Sequence, residues 1–166
     1  MPNGEGEKRT RRASTGTAKA DAAVKKLRAF GLNYPGAHTK SPWPGHMDLA
    51  VNDKTFAYLS VEGEPLKISC KLPGSSELAL ELPFATPTPY GLGKAGWVTA
   101  QFDAGDTPPL DLLQAWIDES YRAQAPKKLV KELDSPPVAR AVAAAAKKKP
   151  PVKGQRAAKS KRRSSR

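Results

Sequence analysis

The sequence predicts an α+β domain built on an antiparallel sheet and followed by a disordered cationic tail. Three observations predict it. Apolar residues alternate at Leu66, Ile68, Cys70 and Leu72, behind a run of close turns. Helical apolar spacing appears at both ends of the middle region, at Ala20, Ala23, Val24, Leu27 and Phe30 and again at Leu113, Trp116, Ile117 and Tyr121. After Asp134 the composition turns abruptly to Ala, Lys, Arg, Pro and Ser. A chain of 166 residues holds one domain of ordinary size with extensions.

Taken in order, residues 1–17 mix Gly, Ser, Thr, Lys, Arg and Glu without periodicity and read as a flexible arm. The domain is expected over residues 18–134. Its first helix presents Ala20 to Phe30 on one face and stops at Gly31, and Asn33, Pro35 and Gly36 make the turn. His38 to Trp43 suits only an edge strand, because Pro42 and Pro44 cannot donate to a ladder. Leu49 and Val51 point one way, Asn52-Asp53 turns tightly, and Phe56 to Val61 is rich in β-formers. Leu66 to Leu72 is the cleanest strand, with Lys67, Ser69 and Lys71 facing outward. Ser75 caps a short helix that Pro83 closes. A loop rich in Pro and Gly leads into a strand from Trp97 to Phe102. Thr107 caps and Pro108 opens the next helix, Pro126 ends it, and Leu129, Val130 and Leu133 mark a last short one.

Residues 135–166 hold eleven Lys/Arg and no acid, with Val138, Val142 and Val152 as the only large apolar side chains. Such a segment buries too little surface to offset its ordering entropy and reads as disordered.

The order of elements and three of its stretches resemble the MmcQ/YjbR family. These are Leu27-Arg28-Ala29-Phe30 running into Leu32-Asn33-Tyr34-Pro35-Gly36, the loop and strand Pro89 to Val98, and Trp116-Ile117-Asp118-Glu119-Ser120-Tyr121-Arg122. The resemblance covers about residues 24–133. It implies a CyaY-like "double wing" fold, an antiparallel sheet with the N- and C-terminal helices on one face, and a role in DNA binding.

Charge is placed unevenly. Residues 1–24 carry +2, residues 25–126 carry −2 and residues 127–166 carry +12, which is also the net charge of the whole chain. A block of that kind speaks to partners, not to fold. Nucleic acid is the expected partner, double-stranded DNA first, because a flexible polycation on a duplex releases counterions. The tail contacts would come from Lys147, Lys148, Lys149, Lys153, Arg156, Lys159, Lys161, Arg162 and Arg163. A membrane surface is not expected, since the tail lacks bulky apolar anchors. The alternative is an α+β domain that binds a protein or small molecule, with the basic tail localising or solubilising it.

Within the domain, residues 91–96 match G-x-G-x-x-G, but a loop precedes them and a strand follows, which is the wrong context for a dinucleotide fingerprint. The segment reads either as a hairpin loop needing positive φ or as a wing whose Lys94 approaches phosphate. Trp97, with Thr99 and Gln101, falls opposite the apolar set Val98, Ala100 and Phe102. There it either stacks on a base or packs against the sheet.

No catalytic residue, metal or cofactor is expected. The only histidines, His38 and His46, lack neighbours at ligand spacing, and Asp118 and Glu119 diverge by about 100° on a helix and cannot share a substrate. The helix from Ala20 has Lys25, Lys26 and Arg28 where iron binding of the frataxin type needs acids. Cys70 is the sole cysteine, so no intrachain disulfide forms. With no apolar signal segment or membrane span, a cytoplasmic, nucleoid-associated location is expected.

Overall fold

A computed structural model describes residues 5–135, with side chains from Gly16 onward. Helix α1 (Glu5–Leu32) leads into strands β1 (Ala37–Lys40), β2 (Asp48–Val51), β3 (Lys54–Leu59) and β4 (Lys67–Lys71). Short helix α2 (Ser76–Leu80), strand β5 (Ala85–Pro87), a 3₁₀ turn at Leu92–Ala95 and strand β6 (Trp97–Gln101) follow. Helices α3 (Leu110–Gln124) and α4 (Lys127–Asp134) complete the unit, which ends at Asp134. The strands form one antiparallel sheet in the order β1-β2-β3-β4-β6-β5. Both edges are short, and the β5 edge ends in Pro87, which blunts further pairing. α1 lies over β1 and β2, α3 over β3 and β4, and α2 against β5 and β6. Apolar side chains of these helices and of one sheet face make a single core.

The helices depart from expectation at their starts. Residues 5–17 are helical rather than an arm, and residues 1–4 lie outside the described residues. Gly16 is buried, and a Cβ there would sit 2.9 Å from the Ala104 Cβ, so this part of α1 is docked on the loop before α3. The helix also runs through Gly31, where an added Cβ would collide with the Leu49 side chain. Glycine serves there for close approach of helix and sheet, not as a stop. α3 starts at Leu110 with Pro109 before it and no side-chain cap, so Thr107 and Pro108 lie outside the helix. Pro109 keeps the residue before it out of the helical region. Ser75 does hold the N-cap position of α2, but its side chain makes no cap bond and its hydroxyl donates to Glu119 of α3 at 2.5 Å.

The β2–β3 hairpin turns on Asn52 and Asp53 with φ of 46° and 64°, the left-handed pair a two-residue hairpin prefers. A bulge follows. Leu49 faces Ala57 while Ala50 faces Thr55, which leaves Phe56 without an opposite number and turns its ring onto the helical layer. There it meets Tyr121 edge-on at 5.4 Å, and Tyr121 stacks on Tyr34 at 4.6 Å. The Tyr34 hydroxyl donates to Asp118 at 2.9 Å, and the Tyr121 hydroxyl donates to the Pro35 carbonyl at 2.6 Å. Burial and the carboxylate of Asp118 push the Tyr34 phenol well above its usual range. Arg122 completes the clamp, donating to Asp118 at 2.7 Å and to Asp134 at 2.9 Å. The turn after α1 and the middle of α3 are thus locked together across more than eighty residues of chain.

Candidate functional site

The residues singled out within the domain part company. Lys94 is exposed on the 3₁₀ turn between Gly91 and Gly96, whose φ values of 79° and 81° make both of them left-handed turn glycines. The loop-needing-glycine reading therefore accounts for two of the three glycines of the G-x-G-x-x-G match, and at Gly93 an added Cβ would meet the Pro87 side chain at 2.8 Å. Trp97 does lie on the face away from the helices, but it is only 5% exposed and packs on Tyr58 with ring centroids 5.3 Å apart. A base has no open indole face to stack on, so Trp97 is corrected to a packing residue. Trp97→Ala is expected to cost about 3 kcal/mol or more in urea unfolding, whereas Lys94→Ala should be neutral within about 0.5 kcal/mol. The tail cations from Lys147 to Arg163 lie outside the described residues.

Ser69 was expected to face solvent between Lys67 and Lys71. It is buried instead, and its hydroxyl bonds the Thr99 hydroxyl at 2.7 Å, which in turn meets the Thr88 hydroxyl at 2.9 Å. The reason is that the helix-free face is not open. Segments 41–47, 60–65 and 88–92 contribute the surroundings of a cavity of about 420 Å³ against it. Tyr58, Ser69 and Thr99 come from the strands, and Trp43, His46 and Tyr90 from the connections. That volume falls within the range of roughly 300–1,000 Å³ typical of small-molecule sites.

Two features set this cavity apart. Trp43 is 68% exposed and Tyr90 98% exposed, both large aromatic surfaces left in water, and Tyr90 holds a left-handed φ of 62° despite its bulk. Asp48, also in the lining, is fully buried. Its Oδ1 accepts the Leu59 N–H at 2.9 Å, but Oδ2 is the one buried side-chain oxygen or nitrogen among the described residues with no hydrogen-bond partner. Burial raises the Asp48 pKa, opposed by the Leu59 N–H and by His46 and Arg28 nearby. A buried carboxyl with a free oxygen is costly and asks for a partner. A wider depression of about 590 Å³ beside Phe84 and Phe102 contains no such group.

None of Trp43, Asp48, Tyr58 or Tyr90 stood out in the sequence as a site residue. One signal was present: Asp48 opens the wholly buried strand Asp48-Leu49-Ala50-Val51, where a lone acid needs a reason.

Other polar groups have structural work. Glu119 accepts the Gly74 and Ser75 backbone N–H groups at 2.8 and 3.1 Å, while Asp118 holds Tyr34 and Arg122. Burial raises the Cys70 thiol pKa strongly, which leaves it protonated and unreactive. Among the described residues no three His, Cys, Asp or Glu gather as a metal site, and no helix is long and apolar enough to cross a membrane.

Comparison with known proteins places the architecture. The YjbR family model matches residues 32–123, more than half of the chain. The chain belongs to the YjbR family. A solved Deinococcus radiodurans protein with a DUF419 domain is similar to this YjbR protein at 26% identity with a TM-score of 0.54, over 68% of this chain and 88% of that one. A solved Pseudomonas syringae protein is 16% identical with a TM-score of 0.46, over 60% and 97% of the two chains. No curated protein matches. Two of the three stretches that carried the family resemblance, around Tyr34-Pro35 and Asp118-Tyr121-Arg122, meet in the clamp described above. The third contributes Pro89, Tyr90 and Leu92 to the cavity.

Proposed function

We propose that this YjbR protein is a non-enzymatic DNA-binding protein whose C-terminal cations hold the phosphate backbone of a duplex. The observation that carries the reading is the placement of charge: +12 in residues 127–166, beside a middle region, 25–126, of −2. Attraction to phosphate that depends on such a block is independent of sequence and steeply dependent on salt. A cytoplasmic, nucleoid-associated setting belongs to the same proposal. The cavity favours a second reading, in which the domain binds a small molecule and the tail localises it.

The test is the affinity of the full chain for a random-sequence duplex, measured by anisotropy between 50 and 200 mM salt. A log–log slope steeper than about −4 and indifference to sequence support backbone binding. Binding that is absent at 50 mM salt sinks it and leaves the ligand-binding domain.

A further inference from the structure

We infer that the cavity on the helix-free face receives the base of an unpaired nucleotide, and that it does so through Trp43, Tyr90 and Asp48. The inference rests on the nucleic-acid reading above and deepens it. Three independent observations converge on one place. Trp43 and Tyr90 offer exposed aromatic faces at the cavity, and a base stacks on such faces whatever its identity. Asp48 belongs to the lining of the same cavity, and its Oδ2, shut off from water, has no hydrogen-bond partner. An N–H on a base edge is the kind of donor it lacks, just as Asp or Glu accepts from a cytosine amino group in a groove. The hydroxyls of Ser69, Thr88 and Thr99, bonded to one another, add polar groups to the lining.

Charge in the lining agrees with a base inside and phosphate outside. Lys67 is exposed at the cavity and His46 lies beside it, so a phosphodiester can rest at the mouth. Asp48 and Glu64 in the lining disfavour a phosphate reaching further in. A base paired within a duplex presents its edge to its partner and cannot enter, so the nucleotide must be unstacked, as at a bulge, a gap or a strand end. The same chemistry would accept the base of a free nucleotide.

The experiment compares the full chain on a perfect duplex, on the same duplex with one bulged adenosine, and with AMP alone. Trp43 is the reporter, since Trp97 and Trp116 are only 5% and 4% exposed. The expected result is about tenfold tighter binding to the bulged duplex, with quenching of the exposed indole. Trp43→Ala and Asp48→Asn should each bring the bulge-to-duplex ratio close to one. Asn keeps an oxygen for the Leu59 N–H, and Trp43 is surface-exposed, so a folding defect in one variant is checked by the other. Quenching by AMP without a bulge preference assigns the site to free nucleotides. Equal binding to both duplexes with unquenched emission, AMP included, overturns the cavity while the DNA reading stands. Absence of binding to either duplex, with AMP still quenching, overturns the DNA reading and leaves the cavity as a nucleotide site. Quenching by guanidinium at concentrations where AMP has no effect overturns the base and makes the site one for cations.

Discussion

Ending the chain at Asp134 is expected to flatten the salt dependence of duplex binding by roughly 5 to 6 log–log units. The figure follows from charge counting. Of the eleven cations in residues 135–166, about half to two-thirds can lie near phosphates at once, which makes Z roughly 5–7. At about −0.9 per phosphate, raising salt fourfold then weakens the full chain about a thousandfold more than the shortened one. Because charge density is what such a segment reads, the loss should be nearly uniform across sequences, and a scrambled tail of the same composition should restore it. A truncated protein with the full slope would move the phosphate contacts into the domain, where Lys67 and Lys94 would be the first to examine.

The second large effect is on stability. Tyr121 is fully buried among Tyr34 and Phe56, so Tyr121→Ala should cost about 3–5 kcal/mol, a large share of the roughly 5–15 kcal/mol that holds a domain together. Tyr121→Phe keeps the ring and removes the donor to the Pro35 carbonyl, for about 1–2 kcal/mol. Urea midpoints for the two variants separate ring packing from the hydroxyl. An alanine variant within about 1 kcal/mol of the parent would mean that the clamp does not carry the fold.

What could be read from the sequence divides along physical lines. Elements with a plain periodic or turn signal were legible: β4 from its alternation, although Ser69 on its other face is buried too, α3 from Leu113, Trp116, Ile117 and Tyr121, an edge strand that ends at Lys40 rather than Trp43, and the turn at Asn52-Asp53. The family was legible from three stretches, two of which meet through contacts such as Tyr34 with Asp118. Three features were hidden. The early turns of α1 lack an apolar period, and what docks them at Gly16 is a close approach that leaves no hydrophobic mark. Strand β5 is three residues ending in proline, too short for any periodicity, and pairs only through β6. The cavity draws on residues from 43 to 99, each unremarkable alone, and only the sheet register puts Tyr58, Ser69 and Thr99 side by side. Trp97 misled because alternation assigns a face but not its covering, and that face was not open to water.

The bulge at Phe56 has a consequence for how the molecule opens. Regular pairing of β3 with β4 runs only from Leu59↔Ile68 to Ala57↔Cys70. Beyond it the Lys71 N–H donates to the Ser120 hydroxyl at 2.8 Å, and that hydroxyl donates to the Phe56 carbonyl at 2.5 Å. A helix side chain thus stands in for a rung of the ladder. Amide exchange at Lys71 therefore reports on the seating of α3 as well as on the sheet, because its proton has no partner once Ser120 withdraws. Its opening free energy should match that of the α3 amides around Ile117 to Tyr121 and exceed that of the fraying hairpin at Asn52, so that one sheet proton and one helix exchange as a single cooperative unit.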